Sequence, residues 1–569
     1  MKNKIIINIF IFSFLSFGLK AGVNIKNGNF YISYTDVLLK KYKSAFKELT
    51  RTYNSKSTEI GLFGYGWGTK FETSITVYPD GTLQVKEYGA GGKTIYSSNF
   101  ISSDLTQLMI DDLIEVMQTE GDLELDPTSI TNQIKKLKNN IEYRLKTWDK
   151  YVEKGLLENP TDFPLGSEWE SFTRGNQKIT LTAEGFVRNQ KNKNEKEIFN
   201  LDGKLIHYEF GNGEFTTLEY TNKVLSKMIT GDGTNLIFES NKDGFITKIY
   251  FDGEKKNRYA EFKYTENSLI YSEDIAGNQY AFDYDEKKNL TKILYNPVRL
   301  EGIEEDALLV TYHPKTSYTK SVTSRDGSIV SYEYPTFFKE DGTKDDHHYA
   351  TKVTKKGYNG KLITNTYEYF IGTKENGGTY SKKIITTING IKTSTEYDEI
   401  CSNPIQISRG RHTTNFKYNN RCLLIEKTST KGDSIYMKYH PTSEKITYVK
   451  NDVGTYEFTY DDNLNLTYVE KDKEDWVQLV YNEKGKIISM TDGSTISEKG
   501  RTLTFEYNKL GKPIKIVLKD VGEINVVYNN SGEIERVESE SGHKMALQVT
   551  QAFQSLLALV KPSGVNLGM

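Results

Sequence analysis

A tyrosine followed by a polar residue recurs at a fixed interval in the C-terminal half of the chain. Ahead of each tyrosine, apolar and polar residues alternate, as in residues 456–460, which is the period of a strand with one buried face. A glycine four positions later, at 485, 511 or 532, supplies the positive φ of a tight turn. Successive tyrosines are 21 residues apart except for one interval of 26, in the pairs Tyr397-Asp398, Tyr418-Asn419, Tyr439-His440, Tyr460-Asp461, Tyr481-Asn482, Tyr507-Asn508 and Tyr528-Asn529. Each unit is therefore predicted to form two strands and two turns, which bury an apolar face only when units stack.

Weaker copies of the unit extend the pattern upstream, at Phe199-Asn200, Tyr220-Thr221, Tyr264-Thr265 and Tyr284-Asp285. Residues 296–396 keep the same composition but lose the regular spacing. We predict a repeat region over residues 166–541, which at 21 residues per unit gives about 18 units. The 39 tyrosines and 45 glycines, set against only 11 prolines, also favour many short strands joined by tight turns.

Three short motifs near the N-terminus carry a family resemblance together with the repeats. They are Gly-Asn-Phe-Tyr at 28–31, Leu-Thr-Arg-Thr-Tyr-Asn-Ser at 49–55 and Gly-Leu-Phe-Gly-Tyr-Gly-Trp-Gly at 61–68. The combination resembles the YD-repeat (Rhs) superfamily, in which residues 22–100 would be the N-terminal Rhs-type β domain. The resemblance covers about four fifths of the chain and implies a long β-sheet strip that spirals into a shell or barrel.

The chain departs from the toxin-bearing members of that superfamily in two ways. Those members end their repeats with a self-cleaving core that contains an Asp-Pro site, whereas the only Asp-Pro here is Asp126-Pro127, far upstream. About 40 residues follow Tyr528, too few for an enzymatic toxin domain. A self-contained, self-cleaving toxin is therefore not expected.

Residues 1–21 have the pattern of a secretory signal peptide. Lys2 and Lys4 precede an apolar segment over 5–19, and the small Ala21 suits cleavage before Gly22. An apolar core of about 15 residues is short for a membrane span, which needs about 20, although an uncleaved anchor is the alternative. We therefore expect an exported protein, in the periplasm, on the cell surface or outside the cell.

Two helical segments interrupt the predicted β structure. Apolar residues spaced by three and four predict a helical hairpin within 101–165, with helices over 103–121 and 128–154. Thr128 or Ser129 is suited to cap the second helix, and Gly155 to end it. Residues 542–569 are predicted to hold a C-terminal amphipathic helix over 545–560 and a tail. The hairpin either packs internally or docks a partner, and the C-terminal helix either caps the repeats or inserts into a membrane or a partner groove.

No segment carries a convincing catalytic, cofactor or metal motif. Residues 89–94 (Gly-Ala-Gly-Gly-Lys-Thr) resemble a phosphate-binding loop, but position 87 is Glu and a strand pattern follows, so a hairpin turn is expected. In Asp345-Asp346-His347-His348, neighbouring residues of a strand would point to opposite faces, so a solvated loop is expected rather than a metal site. The 74 basic and 76 acidic residues leave no basic excess for nucleic acid.

The cysteines and the repeat tyrosines each allow two interpretations. Cys401 and Cys422 occupy equivalent places in successive units, about 9–10 Å apart if two strands separate them, whereas a disulfide needs about 7 Å or less. A disulfide therefore requires a local shift of the strands that brings the two cysteines closer together. Export would place the protein in a compartment that permits disulfides. The tyrosines either form sheet core and cross-strand pairs or expose rings and hydroxyls to sugars.

The sequence therefore predicts a mainly β protein without enzymatic activity, metal or cofactor. The favoured function is an exported shell or scaffold, related to toxin systems, that encloses or presents a partner polypeptide. The alternative is a surface or secreted adhesin that binds glycans or neighbouring cells. Nothing in the sequence identifies the cargo, the ligand, the oligomeric state or whether the sheet closes.

Overall fold

The computed structural model describes most of the chain, in two compact units, residues 1–403 and 404–569. The described residues are 20–39, 42–98, 102–171, 177–190, 195–210, 213–253, 258–297, 306–357, 360–375, 377–495, 500–508, 511–528, 534–539, 548–549 and 551–554. The predicted signal peptide lies outside them, apart from its last two residues.

The first unit begins with a small antiparallel sheet, which we call the N-terminal sheet. Its strand order is β1-β2-β3-β6, and a two-residue pair, β4 and β5, lies between β3 and β6 in the chain. A 3-10 turn over Lys70–Glu72 follows β6. The bounds are β1 Lys20–Asn24, β2 Asn29–Leu38, β3 Glu48–Asn54, β4 Ile60–Gly61, β5 Gly64–Tyr65 and β6 Trp67–Thr69.

The remaining strands of the first unit form one long antiparallel sheet in which nearly every strand pairs with its neighbours in sequence. The exception is the short β26, because β27 is long enough to pair with both β25 and β26. The bounds are β7 Ser74–Val77, β8 Leu83–Lys86, β9 Lys93–Ser98, β10 Glu168–Ser171, β11 Gln177–Thr182, β12 Gly185–Gln190, β13 Glu195–Phe199, β14 Leu205–Phe210, β15 Phe215–Thr221, β16 Val224–Thr230, β17 Asn235–Ser240, β18 Ile246–Phe251, β19 Ala260–Thr265, β20 Ser268–Glu273, β21 Gln279–Tyr284, β22 Leu290–Tyr295, β23 Ala307–Tyr312, β24 Thr319–Thr323, β25 Ile329–Glu333, β26 Thr336–Phe338, β27 Lys344–Lys356, β28 Leu362–Thr373, β29 Thr379–Ile388 and β30 Ile391–Tyr397.

The second unit continues the same strand pattern. Its apolar core is built from alternate residues of β34 to β42, and the helical residues 548–549 and 551–554 pack on it through Val549 and Ala552, both almost fully buried. The rest of the predicted C-terminal helix lies outside the described residues. The bounds are β31 Pro404–Arg409, β32 His412–Tyr418, β33 Leu424–Ser429, β34 Ser434–Tyr439, β35 Ile446–Asn451, β36 Gly454–Tyr460, β37 Leu466–Lys471, β38 Asp475–Tyr481, β39 Ile487–Ser494, β40 Thr502–Tyr507, β41 Pro513–Leu518, β42 Gly522–Tyr528 and β43 Ile534–Glu538.

The prediction of a mainly β fold built on a long antiparallel sheet is confirmed. The 34 strands described from β10 to β43 amount to 17 two-strand units, close to the predicted number of about 18. Within the first unit, the side of β7 that faces away from β8 makes an isolated bridge between Ser74 and Lys204.

Three helices lie between β9 and β10, where the sequence predicts two. They are α1 Ser103–Thr119, α2 Pro127–Asn139 and α3 Ile141–Glu153. The apolar spacing runs on across residue 140, but the backbone of Asn140 is extended and its side chain caps α3 by accepting a hydrogen bond from the N–H of Tyr143. The expected cap of the second helix is also corrected, because the carboxylate of Asp126 accepts from the N–H groups of Thr128 and Ser129.

The repeat tyrosines make one recurring hydrogen bond between neighbouring strands, as Tyr481 shows. Its hydroxyl donates to the carbonyl oxygen of Leu466 on the neighbouring strand at 2.8 Å, and the ladder shifts register beside it. Asn482 then closes the turn by accepting from the N–H of Lys486 at 2.9 Å. The same hydroxyl-to-carbonyl bond, at 2.6–2.9 Å, is made by Tyr220, Tyr264, Tyr284, Tyr312, Tyr334, Tyr418, Tyr439, Tyr460, Tyr507 and Tyr528. These tyrosines therefore join strands, as the sheet-core interpretation expects.

The N-terminal sheet packs on one face of the long sheet, and we call that face the inner face. Arg51 of β3, which has no exposed surface, donates from Nε to both carboxylate oxygens of Asp36 at 3.0–3.1 Å and from Nη2 to Ser272 of β20 at 2.6 Å. Its guanidinium lies 4.7–5.5 Å from the ring centres of Tyr34, Trp67, Phe262 and Phe282. Burial raises the pKa of Asp36 to about 6, although Arg51 opposes the shift. The motifs at 49–55 and 61–68 thus supply side chains that fasten the N-terminal sheet to the repeats.

Candidate functional site: the tyrosine face

Four tyrosines gather on the inner face of β25, β27 and β28. In the ladders, Tyr349 is opposite Tyr369, Thr351 is opposite Tyr367, and Tyr332 is opposite Val353. Directly opposed residues, and residues two apart on a strand, share one face of a sheet. The set Tyr332, Tyr349, Tyr367 and Tyr369 therefore forms one surface, which we call the tyrosine face.

The hydroxyls of the tyrosine face differ from those of the repeat tyrosines. Among the described residues, none of the four donates to or accepts from another protein group, whereas eleven repeat tyrosines each donate to a strand carbonyl. Three of the four side chains are half-buried and Tyr369 is 4% exposed. The rings are thus held by the sheet while their polar ends lack partners.

The environment keeps these hydroxyls protonated. Burial is the main cause that raises the pKa of Tyr349 to about 12 and raises the pKa values of Tyr332, Tyr367 and Tyr369 above the ordinary value. The rings of Tyr349 and Tyr369 lie nearly parallel, with centres 5.1 Å apart and planes at 20°. Each of the four is therefore available as a hydrogen-bond donor at neutral pH.

The inner-face positions of β29 and β30 that directly adjoin the tyrosine face have uncharged side chains, and the ammonium group of Lys26 donates to Ser381 of β29 at 3.0 Å. Thr386 lies across from Tyr367, and Ile384 across from Tyr369. On β30 the next positions along these rows are Thr393 and Thr395. The surface is therefore aromatic and hydroxyl-rich.

On the side of the tyrosine face away from β29 and β30, the turn between β1 and β2 lies against the inner face. Thr351 of β27 donates from its hydroxyl to the carbonyl oxygen of Ile25 at 2.6 Å, and Thr319 of β24 donates to the carbonyl oxygen of Gly28 at 2.7 Å. Both threonines are almost fully buried. Hydroxyls of the inner face thus bind main-chain carbonyls of a segment laid across it.

Residues Asp345-Asp346-His347-His348, for which the sequence predicts a solvated loop, belong instead to strand β27, because they pair with β26 and β28, and they are divided between its two faces. His348 stacks between Phe337 and Phe370, with ring centres 3.7 and 4.4 Å away, and its Nε2 lies 2.8 Å from Oε1 of Glu368. Asp345 instead accepts from the N–H of His347 at 2.9 Å. Within the described part of the chain, no group of three or more histidine, cysteine or acidic residues is placed to hold a metal ion.

The other candidates from the sequence are also accounted for by local structure. Residues 89–94 belong to the hairpin between β8 and β9, closed by a hydrogen bond from the N–H of Glu87 to the carbonyl of Gly92, and β9 follows instead of a helix. Cys401 and Cys422 are both buried and neither is a free thiol. None of the described helices has the length and apolar character of a membrane span.

The sequence did not single out the tyrosine face. Its four tyrosines lie within 296–396, where the regular spacing is lost, and none is followed by Asp or Asn. Their neighbours are Glu333, Ala350, Glu368 and Phe370. A tyrosine in a strand pattern without the following turn residue is the signal that could have separated them from the repeat tyrosines.

One family model matches the N-terminal region of the chain. A family described as a domain of unknown function, DUF6531, matches residues 20–93, which include the N-terminal sheet and the start of the long sheet. No curated protein sequence matches the chain.

Solved structures of Tc toxins resemble the chain at low sequence identity. One is the crystal structure of TcdB2-TccC3-TEV, with 10% identity and a TM-score of 0.33 over 90% of this chain and 30% of that one. Another is a Photorhabdus luminescens Tc holotoxin pore with a mutation in TccC3, with 10% identity and a TM-score of 0.32 over 90% of this chain and 29% of that one. The chain thus spans less than a third of the length of these Tc toxin structures.

Proposed function

We propose that this chain is an exported, non-enzymatic scaffold of the Rhs type, related to toxin systems, that holds a partner polypeptide against the inner face of its sheet. The DUF6531 match at residues 20–93 and the long antiparallel repeat sheet support this assignment. The signal-like residues 1–21 support export.

The tyrosine face, which the N-terminal sheet covers only at its border, is the observation that carries the proposal. From β14 to β24 the inner face is occupied by the N-terminal sheet, which buries residues such as Tyr208, Phe262 and Ile293. Across β25 to β28, Tyr332, Tyr349 and Tyr367 remain partly exposed and Tyr369 is buried, and none of the four hydroxyls has a partner in the described structure. A surface of half-buried aromatic rings with unpaired polar ends is typical of a protein-binding patch.

The absence of enzymatic activity is part of the proposal. The most deeply buried charged side chains are engaged with one another, as in Arg51 with Asp36 and Arg144 with Asp80. Arg188 is likewise bound to Glu87 and Glu197. These carboxylates neutralise buried guanidinium groups in the interior, so their role is structural rather than acid–base chemistry in a cleft.

A glycan-binding adhesin is the second candidate function, because partly exposed tyrosines are also used to bind sugars. Sugar recognition relies on an open ring face together with polar groups for the hydroxyls. Tyr349 and Tyr369 turn their ring faces toward each other, which leaves edges and hydroxyls for a ligand. This arrangement favours a polypeptide over a glycan.

The test is the isolation of the mature chain from its native host through a tag placed after Met569. The preparation is then treated with protease and analysed by intact mass. We expect one stoichiometric companion polypeptide that is protected from the protease while bound. A protease-resistant chain without a companion would refute the scaffold function and direct attention to glycan arrays.

A further inference from the structure

The tyrosine face presents four hydrogen-bond donors that have no acceptor in the described structure. Four phenolic hydroxyls with raised pKa values remain donors across the physiological pH range. No carboxylate stands among the inner-face positions next to them on β29 and β30, which are Ile384, Thr386, Thr393 and Thr395. A ligand for this surface therefore needs several hydrogen-bond acceptors spaced along its length.

This chain already shows which acceptor such hydroxyls take. Eleven repeat tyrosines donate to main-chain carbonyl oxygens at 2.6–2.9 Å, as Tyr334 does to Thr319. At the border of the tyrosine face, Thr351 and Thr319 bind the carbonyls of Ile25 and Gly28 in the turn laid across the sheet. The tyrosine face continues this contact surface, because Thr351 lies directly opposite Tyr367.

We infer that the tyrosine face binds an extended, uncharged, proline-rich segment of the partner polypeptide through its main-chain carbonyl oxygens. The inference rests on the proposed function and names the part of the partner that is bound.

A polyproline II segment fits the surface for three physical reasons. Its carbonyls have no internal partners, and its proline residues lack the N–H that would compete for them. It is ordered before binding, so little conformational entropy is lost, and aromatic-lined surfaces are the usual receptors for it. Its backbone is extended, with a rise of about 3.1 Å per residue, so a short segment can reach tyrosines on neighbouring strands.

The experiment titrates the full mature chain with acetyl-decaproline-amide, a neutral probe with many carbonyl acceptors and no proline N–H. Four substitutions, Tyr332→Phe, Tyr349→Phe, Tyr367→Phe and Tyr369→Phe, are combined so that the rings stay and only the hydroxyls are removed. The matched control combines Tyr436→Phe and Tyr448→Phe, which change tyrosines on the other face of β34 and β35. Circular dichroism and thermal melting confirm that the variants fold. If the fourfold variant does not fold, the double variants Tyr332→Phe/Tyr349→Phe and Tyr367→Phe/Tyr369→Phe are titrated in its place.

We expect the wild-type chain to bind the probe and the fourfold variant to bind at least about tenfold more weakly, since each hydroxyl bond contributes about twofold to tenfold. The control should bind as the wild type does. Absence of binding to the wild type, or equal binding by the fourfold variant, would overturn the inference. Tyrosine-dependent binding of maltoheptaose in place of decaproline would also overturn it, in favour of a glycan.

Isolation of the fourfold variant from the host separates this inference from the proposed function. If a companion is retained by the variant as well as by the wild type, the tyrosine face is not its binding site and the inference fails, while the scaffold function stands. If the wild type binds decaproline but carries no companion, the scaffold function fails.

Discussion

The buried contact between the N-terminal sheet and the repeats predicts a large loss of stability when Arg51 is replaced by Met. The guanidinium neutralises Asp36 at 3.0–3.1 Å and binds Ser272 at 2.6 Å, and both partners are at most 2% exposed. Arg51→Met leaves the carboxylate of Asp36 buried without a cation, which costs about 3–5 kcal/mol in comparable pairs.

The double variant Arg51→Met/Asp36→Leu should lose far less stability than a variant that removes only one of the two charges. Nη1 of Arg51 is buried without a hydrogen-bond partner in the described structure, so the ion pair already carries an unmet desolvation penalty. Arg51→Met combined with Asp36→Leu removes both charges, and such apolar replacements are often neutral or stabilising. We expect the double variant to lie within about 2 kcal/mol of the wild type.

Urea unfolding, followed by the fluorescence of Trp67 beside Arg51 and by hydrogen exchange of β2 and β20, measures these differences. The control is Arg325→Met, because Arg325 pairs with Asp306 on the surface, where the loss should stay below about 1 kcal/mol. If the Arg51→Met variant is as stable as this control, or the double variant is no more stable than the Arg51→Met variant, the buried ion pair does not hold the N-terminal sheet to the repeats.

Three further predictions concern stability. Tyr481→Phe removes the hydroxyl bond to Leu466 and should destabilise the second unit by about 1 kcal/mol, measured by urea unfolding with Tyr436→Phe as the unaffected control. Gly203→Ala should destabilise the first unit more than Gly233→Ala in thermal melts, because both have positive φ but only the added Cβ at 203 meets the carbonyl of Ile75. The pKa of Asp36 is raised to about 6 in the folded protein, so the folded state binds this proton more tightly than the unfolded state does. The contribution of Asp36 to the free energy of unfolding should therefore decrease as pH rises from about 4 to 6. Urea unfolding across that range should show this decrease in the wild type and not in the Arg51→Met/Asp36→Leu variant.

Much of the fold could be predicted because the repeat is built from short-range signals. The tyrosine, the register shift beside it and the Asx turn after it all lie within a few residues, as at Tyr481 and Asn482. The 21-residue spacing therefore predicts the two-strand unit without any information on tertiary contacts. The N-terminal motifs could be recognised as a group, but the partner of Arg51 on the long sheet, Ser272, lies 221 residues away and has no local signal.

The features that sequence reasoning missed depend on tertiary contacts. The apolar spacing passes smoothly through Asn140, yet the helix breaks there, and beyond the break Arg144 binds the buried Asp80 and the carbonyl of Leu137. The tyrosine face arises because β27 and β28 are 13 and 12 residues long, about twice the usual strand of this sheet, which places Tyr349 opposite Tyr369. Neither strand length nor pairing is encoded in the period of the repeat.

The proposed function places a partner polypeptide against the inner face, and photo-crosslinking from that face can detect the partner in place. A photo-crosslinking phenylalanine derivative placed at Thr386, across from Tyr367, reports on the inner face. The same group at the exposed Lys352, which lies on the opposite face of β27, reports on the outside. After illumination in the native host, we predict a discrete crosslinked polypeptide from position 386 and none from position 352. No crosslink from 386, or equal crosslinks from both positions, would contradict the account.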